Sequence, residues 1–190
     1  ASAAKQSKVS VPTYDRSAMK GGILHVGVGN FHRAHLASYI DEWMEIDTTG
    51  KAKEWGIIGA GVMAKYDEPK RQLLESQNWL QTIVTRDADQ AEARVIGCMK
   101  TFLPIDPKAI VDELTLTTDV RIVSLTVTEG GYYLKDGKFN VHHPDIVHDI
   151  QNPTTPRTIF GCIVRAAQIR RQQGLPIFIT MSCDNIPHNG

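Results

Sequence analysis

A short apolar run, Ile23-Leu24-His25-Val26, leads directly into Gly27-Val28-Gly29-Asn30-Phe31-His32-Arg33-Ala34-His35, and this junction constrains the fold more than any other stretch. A buried strand, a Gly-x-Gly turn and a helix start together make a pyrophosphate-type site. The glycines permit a tight turn and close backbone approach, while the first helical turn offers free N–H groups and the positive end of its dipole. The third glycine of the usual dinucleotide fingerprint is absent, because His32 stands in its place. On its own the pattern leaves three readings open: a dinucleotide, another phosphate, or a glycine-rich turn with no ligand.

The remainder of the chain alternates between strand-like and helix-like segments. Residues 1–20 are polar, small and aperiodic, and read as an N-terminal arm. Strand patterns cover 23–28, 55–62, 79–85, 94–102, 121–128 and 176–182, the last read as buried. Helical spacing over 32–46 places Leu36, Tyr39, Ile40, Trp43 and Met44 on one face. Residues 66–76 are charged and read as a short helical or irregular segment. Asp106-Pro107 starts a helix by cap and N1 proline, and 144–150 reads as a short helix. Thr155-Pro156 is expected to cap an amphipathic helix bearing Ile159, Phe160, Ile163, Val164 and Ala167 on its apolar face. Arg170 and Arg171 suit that helix's C-terminal dipole, and Gly174 its C-cap. Asp136-Gly137 marks a hairpin. The fold expected is α/β: a Rossmann-like, mainly parallel sheet with flanking helices and a β-hairpin excursion, spanning 21–190.

Composition excludes several classes. The chain's 21 basic and 21 acidic residues cancel, so no electrostatic case exists for nucleic acid or an anionic membrane as partner. No apolar stretch approaches the ~18 residues that suggest a membrane span. No signal-like apolar core opens the chain, which reads as cytoplasmic. Cys98, Cys162 and Cys183 are widely spaced, odd in number and form no Cys-x-x-Cys, so they suggest neither a disulfide framework nor a zinc ribbon and read as small buried residues. His32 and His35, and the cluster His142, His143 and His148, lack the cysteine or carboxylate partners that would complete a metal site, so none is expected.

Taken whole, the string from Gly27 to His35 resembles the first βα turn of the polyol-specific long-chain dehydrogenases, the mannitol dehydrogenase family, which reads Gly-x-Gly-x-Phe-His-Arg-Ala-His. Three segments match further on: Ile122-Val123-Ser124-Leu125-Thr126-Val127-Thr128-Glu129-Gly130-Gly131-Tyr132, then Phe160-Gly161, then Met181-Ser182-Cys183-Asp184-Asn185-Ile186-Pro187-His188-Asn189-Gly190. The resemblance implies an NAD-dependent, zinc-independent enzyme that interconverts a sugar alcohol and a ketose, D-mannitol and D-fructose for the members it looks most like. Hexuronates and sugar-alcohol phosphates are the sister substrates, and a stand-alone nucleotide-binding module is the non-enzymatic alternative. It also implies that the polypeptide continues into a mostly helical domain carrying a catalytic lysine.

Residue by residue, the resemblance places the cofactor on Val26, Gly27, Val28, Gly29, Asn30, Phe31, His32 and Arg33, although a surface ion pair would equally explain Arg33. Asp67 aligns with the carboxylate that binds the adenosine ribose, favouring NAD over NADP. Its neighbours Lys65 and Lys70 would instead suit a 2′-phosphate. Thr128 and Glu129 border the nicotinamide, or else form a structural turn before the hairpin. Asn185 takes the role of alkoxide stabiliser, the alternative being a local turn residue. The Gly59-Ala60-Gly61 turn is a competing phosphate loop, ranked lower because the segment after it shows a poor helical pattern.

Overall fold

The structure, a computed structural model, describes residues 9–88 and 91–185, apart from the side chain of Glu129. In chain order the strands and helices are β1 (Ile23–Val26), α1 (Ala37–Ile46), β2 (Ile57–Ala60), α2 (Ala64–Ser76), β3 (Gln81–Arg86), β4 (Ala91–Ile96), β5 (Met99–Phe102), α3 (Pro107–Leu116), β6 (Ile122–Leu125), the single turn α4 (Thr128–Gly131), β7 (Leu134–Lys135), β8 (Lys138–Phe139), α5 (Pro144–Gln151), α6 (Ile159–Gln172) and β9 (Ile179–Ser182). Five of the strands form one sheet in the order β5-β2-β1-β6-β9. Every pairing in it is parallel. The chain winds outward from β1 in both directions, so β1 and β6 flank the point where strand order reverses, the position at which open α/β sheets bind ligands. The expected α/β fold with its hairpin excursion is what the chain adopts.

Alternation along the strands distributes the core over both faces. Leu24 and Val26 of β1 join Ile58, Val123 and Leu125 in a cluster with Ile110 and Leu114 of α3 and Ile159, Cys162 and Ala166 of α6. Ile23 and Ile57 point the other way, to Ala37 and Met44 of α1. Both faces are therefore covered, which is why these strands read as continuous apolar runs.

Several elements depart from the sequence reading. The segment from 9 to 20 is no free arm: Met19 is buried, Val95 N donates to Ser10 O, and Arg16 donates to the carbonyls of Gly97 and Asn78. The expected strand over 94–102 breaks at Gly97-Cys98, leaving β4 in an antiparallel pair with β3 and β5 in the main sheet. Of the two readings for 66–76, the helical one holds, in a helix that starts earlier, at Ala64, and contains Pro69. Strand β9 is an edge strand with Ile179 exposed, not a buried one, and Cys183 is only half-buried.

Helical faces shift too, for a physical reason. A wide π-turn over His32–Leu36 precedes α1. The buried residues of this helix, His32, Ala37, Asp41 and Met44, are spaced by five, four and three. A strict 3.6 period across that turn selects the wrong stripe, so Tyr39 and Trp43 lie at the surface. In α6 the N-cap is Thr158, whose side chain accepts from Gly161 N, in place of Thr155. Its buried face runs through Ile159, Cys162, Ala166 and Arg170, leaving Val164 exposed.

Arg170 is the largest correction. Expected to complement the C-terminal dipole of its own helix, it is 1% exposed. Its guanidinium donates to Leu114 O at 2.5 Å, Pro176 O at 2.9 Å and Thr117 O at 2.9 Å. It thereby caps the carbonyl end of α3 from a neighbouring helix, a region whose orphan acceptors otherwise need water. Arg170→Ala strips all three acceptors of their donor. We expect a loss of about 3 kcal/mol or more in urea unfolding at an unchanged m-value; a loss under ~1 kcal/mol would mean that water replaces the guanidinium.

Candidate functional site

The carboxyl ends of β1, β2 and β6 border a cleft of about 740 Å³. Its floor is the turn after β1. Gly27 has φ +98°, and a Cβ there would sit 2.1 Å from Thr126 O. Thr126 Oγ1 donates to Gly27 O at 2.8 Å. The turn is pressed against the end of β6, and only glycine fits that approach. At Gly29 the space is open, since a Cβ would meet nothing nearer than 3.8 Å. Gly29 O accepts from Arg33 N at 3.2 Å, so the helix begins at once and its first N–H groups lack intrahelical partners.

Of the eight residues expected from this string, Val26, Gly27 and Gly29 line the cleft. Val28 packs into a core cluster with Leu74, Met99 and Phe102. Asn30 and Arg33 are exposed and bonded to each other at 3.1 Å, so among the described residues Arg33 pairs with an amide and not with an acid. Phe31 stacks on His35 with ring centroids 5.3 Å apart. None of these four lines the cleft.

His32 is set apart from the rest of the string, because its side chain is fully buried and forms part of the core. Its ring stacks on that of His25 of β1, with centroids 5.0 Å apart. The close helix–strand approach that a third glycine gives elsewhere is here a contact between two imidazoles. His25 Nδ1 lies 2.8 Å from Ser124 Oγ, and its Nε2 lies 3.2 Å from Thr126 Oγ1 and 3.3 Å from Gly27 O. Gln81 Nε2 donates to His32 Nε2 at 3.2 Å, leaving His32 Nδ1 with no partner among the described residues.

Burial disfavours the charged form of both rings. It lowers His25 to about 4 and His32 to about 3, the latter helped by the neighbouring His25. The unfolded chain binds protons near the ordinary 6.5, so between 6.5 and these values it carries more protons than the folded chain. Stability from the pair is complete above pH 6.5 and is lost as pH falls toward 4 and then 3. Urea unfolding between pH 7.5 and 4.5 should show a fall on the order of 1.4 kcal/mol per pH unit for each imidazole at the steepest part. His32→Phe, which keeps the stack and removes one titration, should flatten it; an unchanged slope would remove His32 as a source.

On the β2 side, Asp67 sits one turn into α2, yet its carboxylate reaches back to the strand end. Oδ2 accepts from Val62 N at 3.1 Å and Met63 N at 3.0 Å, and Oδ1 lies 3.5 Å from Lys70 Nζ. A Cβ on Gly61 would lie 2.6 Å from the Asp67 side chain. Gly61 thus makes room for this carboxylate, which fills the space that the competing phosphate loop would need. Asp67, Val62, Met63 and Lys70 all line the cleft.

The β6 side is formed by Thr126, Val127 and Thr128. Thr128 adopts φ +61°, a left-handed conformation that is costly for a β-branched residue. Asp184, past the end of β9, accepts from Val127 N at 2.8 Å and Thr128 N at 3.3 Å. Asn185 follows it, exposed and outside the lining of the cleft. The Glu129 side chain and residues 186–190 lie outside the described residues.

Sequence reasoning missed Thr126 as the floor and Arg157 at the rim. Thr126 stood inside a matched segment without a role, and Arg157 carries no local signal. Among the described residues no three His, Cys, Asp or Glu side chains gather as metal ligands, and no helix is long and apolar enough to cross a membrane.

A parallel sheet wound outward from β1, with a glycine turn and helix start at its switch point, defines a Rossmann domain. A profile of the mannitol dehydrogenase Rossmann domain matches residues 21–190, and the chain belongs to the mannitol dehydrogenase family. It is 45% identical over 185 residues to the mannitol 2-dehydrogenase of Cereibacter sphaeroides, covering 96% of this chain and 38% of that protein. Against the Pyricularia oryzae mannitol 2-dehydrogenase it is 40% identical, covering 97% and 37%. The Pseudomonas fluorescens mannitol 2-dehydrogenase, solved as a ternary complex with NAD and D-mannitol, superposes with a TM-score of 0.86 at 43% identity, over 96% of this chain and 37% of that one. A substrate-free D-sorbitol dehydrogenase gives a TM-score of 0.86 at 36% identity, over 95% and 37%. The chain thus spans a little over a third of the length of the relatives it matches.

Proposed function

We propose that this chain is the cofactor-binding part of a cytoplasmic NAD-dependent polyol dehydrogenase acting on D-mannitol and D-fructose. Residues 21–190 form its dinucleotide domain, and a further helical domain of the same polypeptide supplies a lysine base. One observation carries the reading: the Asp67 carboxylate lies at the end of β2, across the cleft from an open glycine turn. An acid there takes a ribose diol and repels a 2′-phosphate. The mannitol 2-dehydrogenase relatives support the substrate.

The residues present fit NAD. Gly29 leaves open space beside the unpaired N–H groups of a helix start, which suits a diphosphate. Asp67 lines the cleft with Oδ1 3.5 Å from Lys70 Nζ, and a carboxylate has enough lone pairs to accept from a diol while holding two amides. NAD, when bound, accepts hydride from the carbinol carbon. Val62 and Met63 offer an apolar surface to the adenine. Thr128 and Glu129 border the nicotinamide, and Asn185 donates an amide N–H to the forming alkoxide, a contribution whose removal typically costs on the order of 100- to 1000-fold in rate.

Sugar-alcohol phosphates and hexuronates are the second reading, favoured by Arg157 at the rim of the cleft. Turnover that demands a phosphate or carboxylate on the substrate selects it.

Titration with NADH and then NADPH, followed by energy transfer from the three tryptophans, tests the cofactor reading. We expect saturable NADH binding and weaker NADPH binding. Asp67→Asn should reduce the preference about tenfold, the equivalent of ~1.4 kcal/mol. An unchanged preference would reassign Asp67 to loop anchoring alone.

A further inference from the structure

Between the ends of β6 and β9 lies a polar cluster that the proposed chemistry does not use. Tyr132 Oη is 2.5 Å from Ser182 Oγ and donates to Asp184 Oδ2 at 2.8 Å. The same carboxylate accepts from Val127 N and Thr128 N. Leu125 and Ser182 are register partners in the sheet, and Cys183 N donates to Leu125 O at 2.9 Å. The two strands are thus laced together up to their last residues, and the lacing continues beyond them through one carboxylate.

What this carboxylate holds is unusual. The strand ends at Leu125, and by Thr128 the chain has left the extended direction. Thr128 turns into the left-handed region at φ +61°, where a β-branched residue stays only if its surroundings fix it. Two amide bonds to a charged acceptor are the observed fixing contacts, and such bonds are stronger than neutral ones. Gly131 closes the turn from the other side, since a Cβ there would lie 2.7 Å from Val127 Cβ. Burial together with Asp184 pushes the Tyr132 hydroxyl up to about 12, so it remains a donor across the neutral range.

We propose that Asp184, braced by Tyr132, is a positioning residue: it locks Thr128 in its left-handed turn and so sets the wall of the cleft on which the reacting end of the cofactor rests. This rests on the dehydrogenase reading above. Asp184 also precedes Asn185, so one group fixes both the cofactor wall and the chain entering the proposed alkoxide donor. Its loss displaces the reacting end while leaving the glycine turn and Asp67 untouched.

The test uses the complete polypeptide that carries this chain. Tyr132→Phe and Asp184→Asn are compared with the parent for NADH affinity, kcat and KM with the polyol, and amide hydrogen exchange over 126–131. Misplacement by about 1 Å can cost on the order of 100-fold in rate. We expect Asp184→Asn to lower kcat by roughly that factor and Tyr132→Phe by about tenfold, with NADH affinity within about threefold of the parent and faster exchange over 126–131. Adding Thr128→Gly to Asp184→Asn should recover part of the lost kcat, because glycine holds the left-handed turn without help. A role confined to global stability would lower the melting temperature yet leave kcat per folded molecule unchanged, and would overturn the proposal. So would unchanged exchange over 126–131. Failure of the parent itself to bind NADH would overturn the dehydrogenase reading and the positioning role with it. Binding by the parent with full kcat in both variants would overturn the positioning role alone.

Discussion

The close approach of Gly27 to Thr126 is the constraint on which the rest of the site depends. Where the chain leaves β1 it touches the end of β6 so closely that no side chain fits between them. That contact closes the sheet at its switch point and turns the backbone toward the helix that follows. It also fixes where the cleft opens. Thr126 completes it by offering its hydroxyl to Gly27 O, so the two strands are joined by a side chain where the ladder ends.

Beneath that contact lies a layer of polar groups. His25 is linked ring to hydroxyl with Ser124 and Thr126, His32 ring to amide with Gln81, and the two imidazoles stack on each other. Such networks are stabilising only when their members are satisfied. All but His32 Nδ1 find partners among the described residues. The helix widens into a π-turn at this position, and π-turns recur where function departs from regular geometry. Here the π-turn begins at His32, whose imidazole stands where most dinucleotide folds put a hydrogen atom.

The sheet, its direction and the glycine turn were legible in the sequence because strand burial on both faces leaves runs such as Ile23–Val26 without alternation. Helix faces were less legible. The π-turn moves Tyr39 and Trp43 off the stripe that their spacing predicts. Arg170 reads as a dipole partner for its own helix because nothing local reveals three carbonyls converging on it from α3 and the strand approach. Asp67 shows the same limit from the other side. Its place in the chain, beyond the strand, hid that its carboxylate returns to the strand end over a glycine that leaves it room. Contacts between residues a turn apart are partly readable, whereas those between separate elements are not.

One feature of the excursion between β6 and α6 bears on how such proteins can diverge. Asp149, at the end of α5, accepts from Arg157 N, Thr158 N and Thr158 Oγ1, and a Cβ on Gly161 would collide with it. The carboxylate staples the return of the excursion directly to the start of α6. The exposed Asp136-Gly137 hairpin tip lies beyond both that staple and Tyr132, whose hydroxyl ties the near end of the excursion to Ser182 and Asp184. Lengthening the tip carries only the slow entropic cost of a longer loop, about 0.6 kcal/mol per doubling. Here lies the domain's natural margin for evolutionary drift: added residues would alter the molecule's outline without moving the strand ends that border the cleft.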